Sequence, residues 1–101
     1  FLKQPMTFPY TVEDAVRLGA DGVMTMGIIG CDYDANNVRY IAKVASECEK
    51  YGLICASEIL PNGFSDAPED RSVRAMNIAC RIGAEVGLDI VKTRPGCPAV
   101  R

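Results

Sequence analysis

A lysine interrupts an apolar, β-branched run in the stretch GLDIVKTRPG, which opens at Gly87. Desolvating a charged amine costs on the order of several kcal/mol, so Lys92 either escapes to water or has a use where it sits. Strand alternation puts Ile90 and Lys92 on one face and Val91 and Thr93 on the other. Two readings follow. Enclosed at a strand end, the amine loses solvation, the ammonium form is disfavoured, and a neutral nucleophile becomes accessible. Such an amine attacks a carbonyl to give a Schiff base, and the protonated imine is an electron sink for making or breaking the neighbouring C–C bond. In the other reading the side chain snorkels into solvent or pairs with a carboxylate such as Glu58.

Glu58 lies near the end of a second strand-like run, flanked by Ile59 and Leu60. It can pair with Lys92, relay protons, bind substrate, or stand in solvent as a rim carboxylate. Arg94 can bind an anion or lie on the surface. Cys31 and Cys97 fall in loops and are read as inert unless an electropositive setting activates them. Gly27, Gly30 and Gly63 either admit a ligand close to the backbone or only make turns. The chain has no histidine, so it cannot by itself supply Ser-His-Asp or Cys-His catalysis.

The residues around these groups bound the setting. The chain has 101 residues, 49% apolar and 24% charged, as expected for one small globular domain. Its net charge is −2 with no basic block, so nothing points to nucleic acid or an anionic membrane. No apolar run approaches a membrane span and there is no signal-peptide pattern. Five widely spaced cysteines without a CxxC pair argue against both a disulfide framework and a structural zinc site. Reduced cysteines in a cytoplasmic protein are the expectation. The chain starts at Phe1 and ends in a Pro/Gly-rich stretch, which suggests an internal piece of a longer protein.

The elements that must position Lys92 and Glu58 repeat a plan. GADGVMTM, GLICASEI and GLDIVKT begin at Gly19, Gly52 and Gly87, each after a helical pattern and each opening a strand-like run. A glycine just past a helix suits the left-handed C′ conformation. Thr11 to Asp14 resembles a capping box, so the first helix spans about 12–18. A second helix is expected from about Ala35 to Tyr51, capped by Asp34, with Val38, Ile41, Ala42, Ala45 and Cys48 on its core face. A third runs from about Asp70 to Val86, with a stripe of Val73, Met76, Cys80 and Ala84 widened by Ala75, Ala79 and Ile82. Pro61 to Pro68 reads as a loop. Strands fall near 21–26, 54–59 and 89–93.

Helix and strand alternating at this period give an α/β fold with parallel strands. Three strands alone make a thin sheet, so a (β/α)8 barrel or an open doubly wound sheet is implied. No GxGxxG phosphate loop favours the second. In a barrel, the strand C-terminal ends carry the site: 25–31, 57–63 and 92–97. Aligning the repeats by their glycines puts Met24, Ser57 and Lys92 at equivalent positions.

TVEDAVRLGADGV, the helix ending CEKYGL, ASEILPNG and GLDIVKT together resemble consecutive units of one aldolase group. This is the archaeal-type class I fructose-bisphosphate aldolase and aminodideoxyheptulosonate synthase group, within the deoxyribose-phosphate and tagatose-bisphosphate aldolase superfamily. The resemblance covers about Thr11 to Gly96. It implies three consecutive units, about strands 4 to 6, of a (β/α)8 TIM barrel, with the whole chain a single partial barrel domain. It also implies that Lys92 is the Schiff-base lysine, supported by Glu58, and that no cofactor is required because the imine takes the place of a metal as electrophile. The implied substrate is a phosphorylated sugar or keto compound, with Asn62 and Arg94 at substrate-binding positions, and the implied full-length protein is a homo-oligomer.

The chain departs from the group after the second strand. The group typically has a glutamate, then Tyr-Pro-Arg-Gly; here Glu58 is followed by Leu60-Pro-Asn-Gly63. Leucine cannot replace a proton-donating tyrosine, and Asn62 stands where the arginine would be. Either another group moves the proton, or the substrate differs, or activity is lost. The group's catalytic aspartate on the first strand and its phosphate loops after the last strands fall outside these residues, so the piece alone is expected to be inactive. The alternatives are a catalytically degenerate barrel that binds a sugar phosphate or serves a structural role, and a different Schiff-base reaction such as dehydration or thiolysis.

Overall fold

The computed structural model describes residues 8–63 and 65–95. Helix α1 (Val12–Arg17) opens with the capping box: Asp14 N–H donates to Thr11 Oγ1 and Thr11 N–H donates to Asp14 Oδ2. Strand β1 (Gly22–Ile29), helix α2 (Asp34–Tyr51) and strand β2 (Ile54–Pro61) follow. A 3₁₀ turn (Pro68–Arg71) then leads into helix α3 (Val73–Glu85) and strand β3 (Ile90–Lys92). All three punctuating glycines, Gly19, Gly52 and Gly87, take the positive φ expected of them. The strands form one parallel sheet in the order β1-β2-β3.

The helices cover one face of this sheet. Cys55 and Ile59 of β2 are buried against α2 and α3 together with Ile41, Val44, Ala45 and Cys48. The opposite face is largely bare: Met24, Ile54 and Ile90 are each about half exposed. One bare and one covered face is the state of three βα units cut from a barrel, whose lumen-facing side chains normally meet those of the remaining strands.

Several boundaries differ from the sequence expectation. The N-cap of α2 is Tyr33, not Asp34. Asp34 N–H bonds to Cys31 O and the Asn37 amide bonds to Tyr33 O, so Asp34 is already inside the helix. The buried face of α2 takes Asn37 and Val44 in place of Val38 and Ala42. Helix α3 begins later than Asp70, at Val73, because Ser72 caps it by accepting from Ala75 N–H. Its buried stripe is Met76, Ala79 and Gly83, while Val73 and Ala84 are exposed. Gly83 turns the helix this way. A Cβ there would lie 2.6 Å from Val91 Cγ2, so only glycine lets α3 sit so close to β3. Strand β2 also runs on to Pro61, into the stretch read as loop.

Candidate active site

The register of β2 and β3 is clamped where they start. Asp89 N–H donates to Cys55 O, and the Asp89 carboxylate accepts from Cys55 N–H at 2.8 Å. From this clamp the ladder pairs Ala56 with Ile90, Ser57 with Val91 and Glu58 with Lys92. In a parallel sheet paired residues share a face. Lys92 Nζ accordingly donates to Glu58 Oε2 at 3.2 Å. The β1–β2 register adds Met26 to the same row.

This corrects the alignment of the repeats by their glycines. The row at the level of Lys92 is Met26, Glu58 and Lys92, not Met24, Ser57 and Lys92. Ser57 is fully buried on the helix side, and its Oγ has no hydrogen-bond partner among the described residues. Met24 is one row nearer the strand N-termini, beside Ala56 and Ile90. The glycine spacing misleads because neighbouring strands are staggered by one residue relative to their glycines: Met26, Glu58 and Lys92, which share a row, lie seven, six and five residues beyond Gly19, Gly52 and Gly87.

Lys92 and Ile90 lie on the bare face, as alternation requires. Val91 meets Gly83 on the helix side, and Thr93 Oγ1 donates to Ile59 O at 2.9 Å. On the described sheet the Lys92 side chain is 61% exposed and that of Glu58 19%. The pair thus opens toward the face that the rest of a barrel would enclose. It borders an open groove of about 620 Å³ whose lining includes Met24, Met26, Tyr10 and Leu18. A charged pair bordered by methionines sits in a weakly polar setting, where electrostatic contacts gain strength once water is excluded.

The mouth beyond the strand ends holds the other candidates. Leu60 is fully buried one row beyond Glu58, paired with Ile28. Asn62 occupies a turn at φ 45°, and its amide donates to Asp70 Oδ2 at 3.2 Å. Arg94 reaches Asp66 Oδ1 at 3.5 Å, and Arg71 reaches the same oxygen at the same distance. Gly27 is buried with Ile41 pressed against it, so it serves helix packing rather than ligand approach. Gly30 and Gly63 make positive-φ turns. Cys31 lies at the mouth with its Sγ against Ile28 O. Cys97 lies outside the described residues. The sequence reading missed Arg71 and Asp66. Their only signal was a run of charges in a loop, which does not say which of them converge.

Away from the site, burial pushes the Cys55 thiol up to about 12 and raises that of its neighbour Cys48. Burial thus favours the neutral thiol at both positions and keeps both from reagents in solvent. No helix among the described residues is long and apolar enough to cross a membrane.

A parallel α/β sheet with helices on one face and the other face bare is the architecture of a segment of a TIM barrel. The chain belongs to the DeoC/LacD family of aldolases, whose model matches residues 3–101. It is 32% identical over 85 residues to a 2-amino-3,7-dideoxy-D-threo-hept-6-ulosonate synthase of Halobacterium salinarum, covering 82% of this chain and 31% of that protein. It is 30% identical over 82 residues to a 3-hydroxy-5-phosphonooxypentane-2,4-dione thiolase of Photorhabdus laumondii, covering 81% of this chain and 27% of that one. Among solved structures it resembles a Schiff-base-forming fructose-1,6-bisphosphate aldolase with a TM-score of 0.76 at 24% identity. That match covers 90% of this chain and 36% of the other. The chain thus spans about a third of the length of the relatives it matches.

Proposed function

We propose that these residues form the middle of a class I aldolase, in which Lys92 forms an imine with a carbonyl substrate and the enzyme makes or breaks the adjacent C–C bond. The observation that carries this reading is the Lys92–Glu58 contact of 3.2 Å on the lumen face of a DeoC/LacD-type sheet. Lys92 Nζ, deprotonated, adds to the carbonyl carbon, and the carbonyl oxygen takes up a proton to give a carbinolamine. Loss of water leaves the protonated imine, which accepts the electron pair released when the C–C bond breaks. Glu58, within hydrogen-bond reach of the amine, would take its proton and return one to the departing hydroxyl. Asn62 and Arg94, at the mouth, are the substrate-binding side chains in this reading. A phosphorylated sugar or keto compound is the substrate class that fits, by analogy with the names of the relatives.

Leu60 supports a second reading. It is fully buried, one row beyond Glu58, and has no proton to give. A barrel that binds a sugar phosphate without catalysis would tolerate it; an aldolase needs another proton donor from elsewhere in the protein. Borohydride reduction separates the two. The full-length protein is incubated with dihydroxyacetone phosphate and a panel of sugar phosphates, reduced, and mapped by peptide mass spectrometry. An adduct on Lys92 that is lost in Lys92→Met is the expected result. No adduct with any carbonyl of the panel overturns the catalytic reading in favour of the non-catalytic barrel.

A further inference from the structure

We propose that Arg71 and Arg94 form an anion subsite at the mouth, held in the resting protein by the Asp66 carboxylate, which receives a phosphate monoester at the substrate end remote from the carbonyl. As a substrate subsite it rests on the aldolase reading above; as an anion site it stands on its own geometry.

Two guanidinium groups from different elements, one at the end of the 3₁₀ turn and one just past β3, converge on a single oxygen of Asp66. Both contacts are 3.5 Å, well beyond the roughly 2.7–2.9 Å of a strong charge-assisted bond. The carboxylate that receives them is 81% exposed. An exposed, long ion pair contributes little and exchanges readily with solvent or another anion. The arginines, by contrast, are held: their side chains are 36% and 29% exposed.

Arg71 also has a donor left over. Its Nε is buried and has no acceptor among the described residues. A buried donor without a partner is costly, and a carboxylate presenting one near oxygen to two guanidinium groups does not satisfy it. A phosphate monoester presents three oxygens and pairs with arginine through two parallel bonds.

The surrounding loop is braced for this purpose. Asp70 Oδ2 accepts from Ser65 Oγ at 2.7 Å and from the Asn62 amide at 3.2 Å, and Ser65 Oγ accepts from Ala67 N–H. Besides its place at the substrate-binding mouth, Asn62 ties the end of β2 to the turn carrying Arg71. Asp66 is the carboxylate that both arginines contact, and it is largely in solvent. Arg94 lies two residues beyond Lys92, roughly 7 Å along an extended chain. The anion therefore sits farther out along the mouth than the imine, which suits a substrate with its carbonyl at one end and its phosphate at the other.

Calorimetric titration of the full-length protein with inorganic phosphate tests the site, comparing wild type with Asp66→Asn, Arg71→Met and Arg94→Met. A phosphate site supplied by another part of the barrel is common to all four proteins and cancels. Asp66→Asn is expected to tighten one binding event by about tenfold, and each arginine variant to weaken it by at least about tenfold. The gain in Asp66→Asn cannot arise from misfolding. Equal affinities across the four proteins overturn the subsite. Borohydride trapping then places the phosphate. Arg94→Met is expected to raise the half-saturating concentration of fructose 1,6-bisphosphate more than that of fructose 1-phosphate, and an equal rise for both overturns the remote placement. Failure of all trapping with intact phosphate effects removes the aldolase reading and leaves the anion site standing.

Discussion

Gly83→Ala sets helix propensity against packing, and the structure decides which wins. Alanine is favoured over glycine by about 1 kcal/mol in a helix interior. The new Cβ would lie 2.6 Å from Val91 Cγ2, 3.1 Å from Ile59 Cδ1 and 3.2 Å from Leu88 Cδ1. Val91 is β-branched and restricted at χ1, and Ile59 is fully buried, so both side chains can retreat only a little. Overpacking of this kind costs about 1–3 kcal/mol. The expected net effect is destabilisation by about 1 kcal/mol, relieved in part by β3 moving away from α3. That movement carries Lys92, the next residue, relative to Glu58. Misplacement of a reacting group by about 1 Å can cost on the order of 10²-fold in rate. Urea unfolding reads the first effect and the rate of borohydride-trapped adduct formation the second. A Gly83→Ala protein that is about 1 kcal/mol more stable and traps carbonyl at the wild-type rate would refute the argument that this close approach sets the position of β3.

Glu58→Gln is expected to slow imine formation by roughly 10²-fold or more, while stability changes by less than about 1 kcal/mol, because the Lys92 end of the pair is exposed on this sheet. A large loss of stability with an unchanged trapping rate assigns the pair a structural role instead. Cys55, with its thiol pushed up to about 12 mainly by burial, is expected to resist maleimide at pH 8 in the folded protein while Cys31 reacts. Labelling of both at one rate, read by peptide mass spectrometry, contradicts the packing of α2 on β2. Asp14 is held below its ordinary 3.8 by hydrogen bonds from the Thr11 backbone and side chain and from Arg17. A lowered carboxylate stabilises the fold above its unfolded value, and that contribution is lost as pH falls through the folded value. The start of α1 should therefore loosen only in acid below about 3.8, and Asp14→Asn should abolish that acid dependence. An NMR titration in which Asp14 changes charge above 3.8 contradicts the capping box.

What the sequence determined by itself was local. The capping box at Thr11, the glycines that end the helices and the α/β alternation were legible because each rests on backbone preferences within a few residues. The face of Lys92 followed from strand alternation, which is equally local. Only the tertiary structure decided which residue stands beside it. That choice depends on the register of β2 against β3, held by the Asp89 clamp on Cys55, which staggers the strands relative to the glycines that precede them. The stripe of α3 likewise depended on Gly83 admitting Val91, a contact between elements that periodicity cannot contain. The convergence of Arg71 and Arg94 on Asp66 joins two loops through space. One-dimensional patterns record what a residue prefers to do with its neighbours in the chain. Packing and register, which bring distant residues into contact, determine whom it meets.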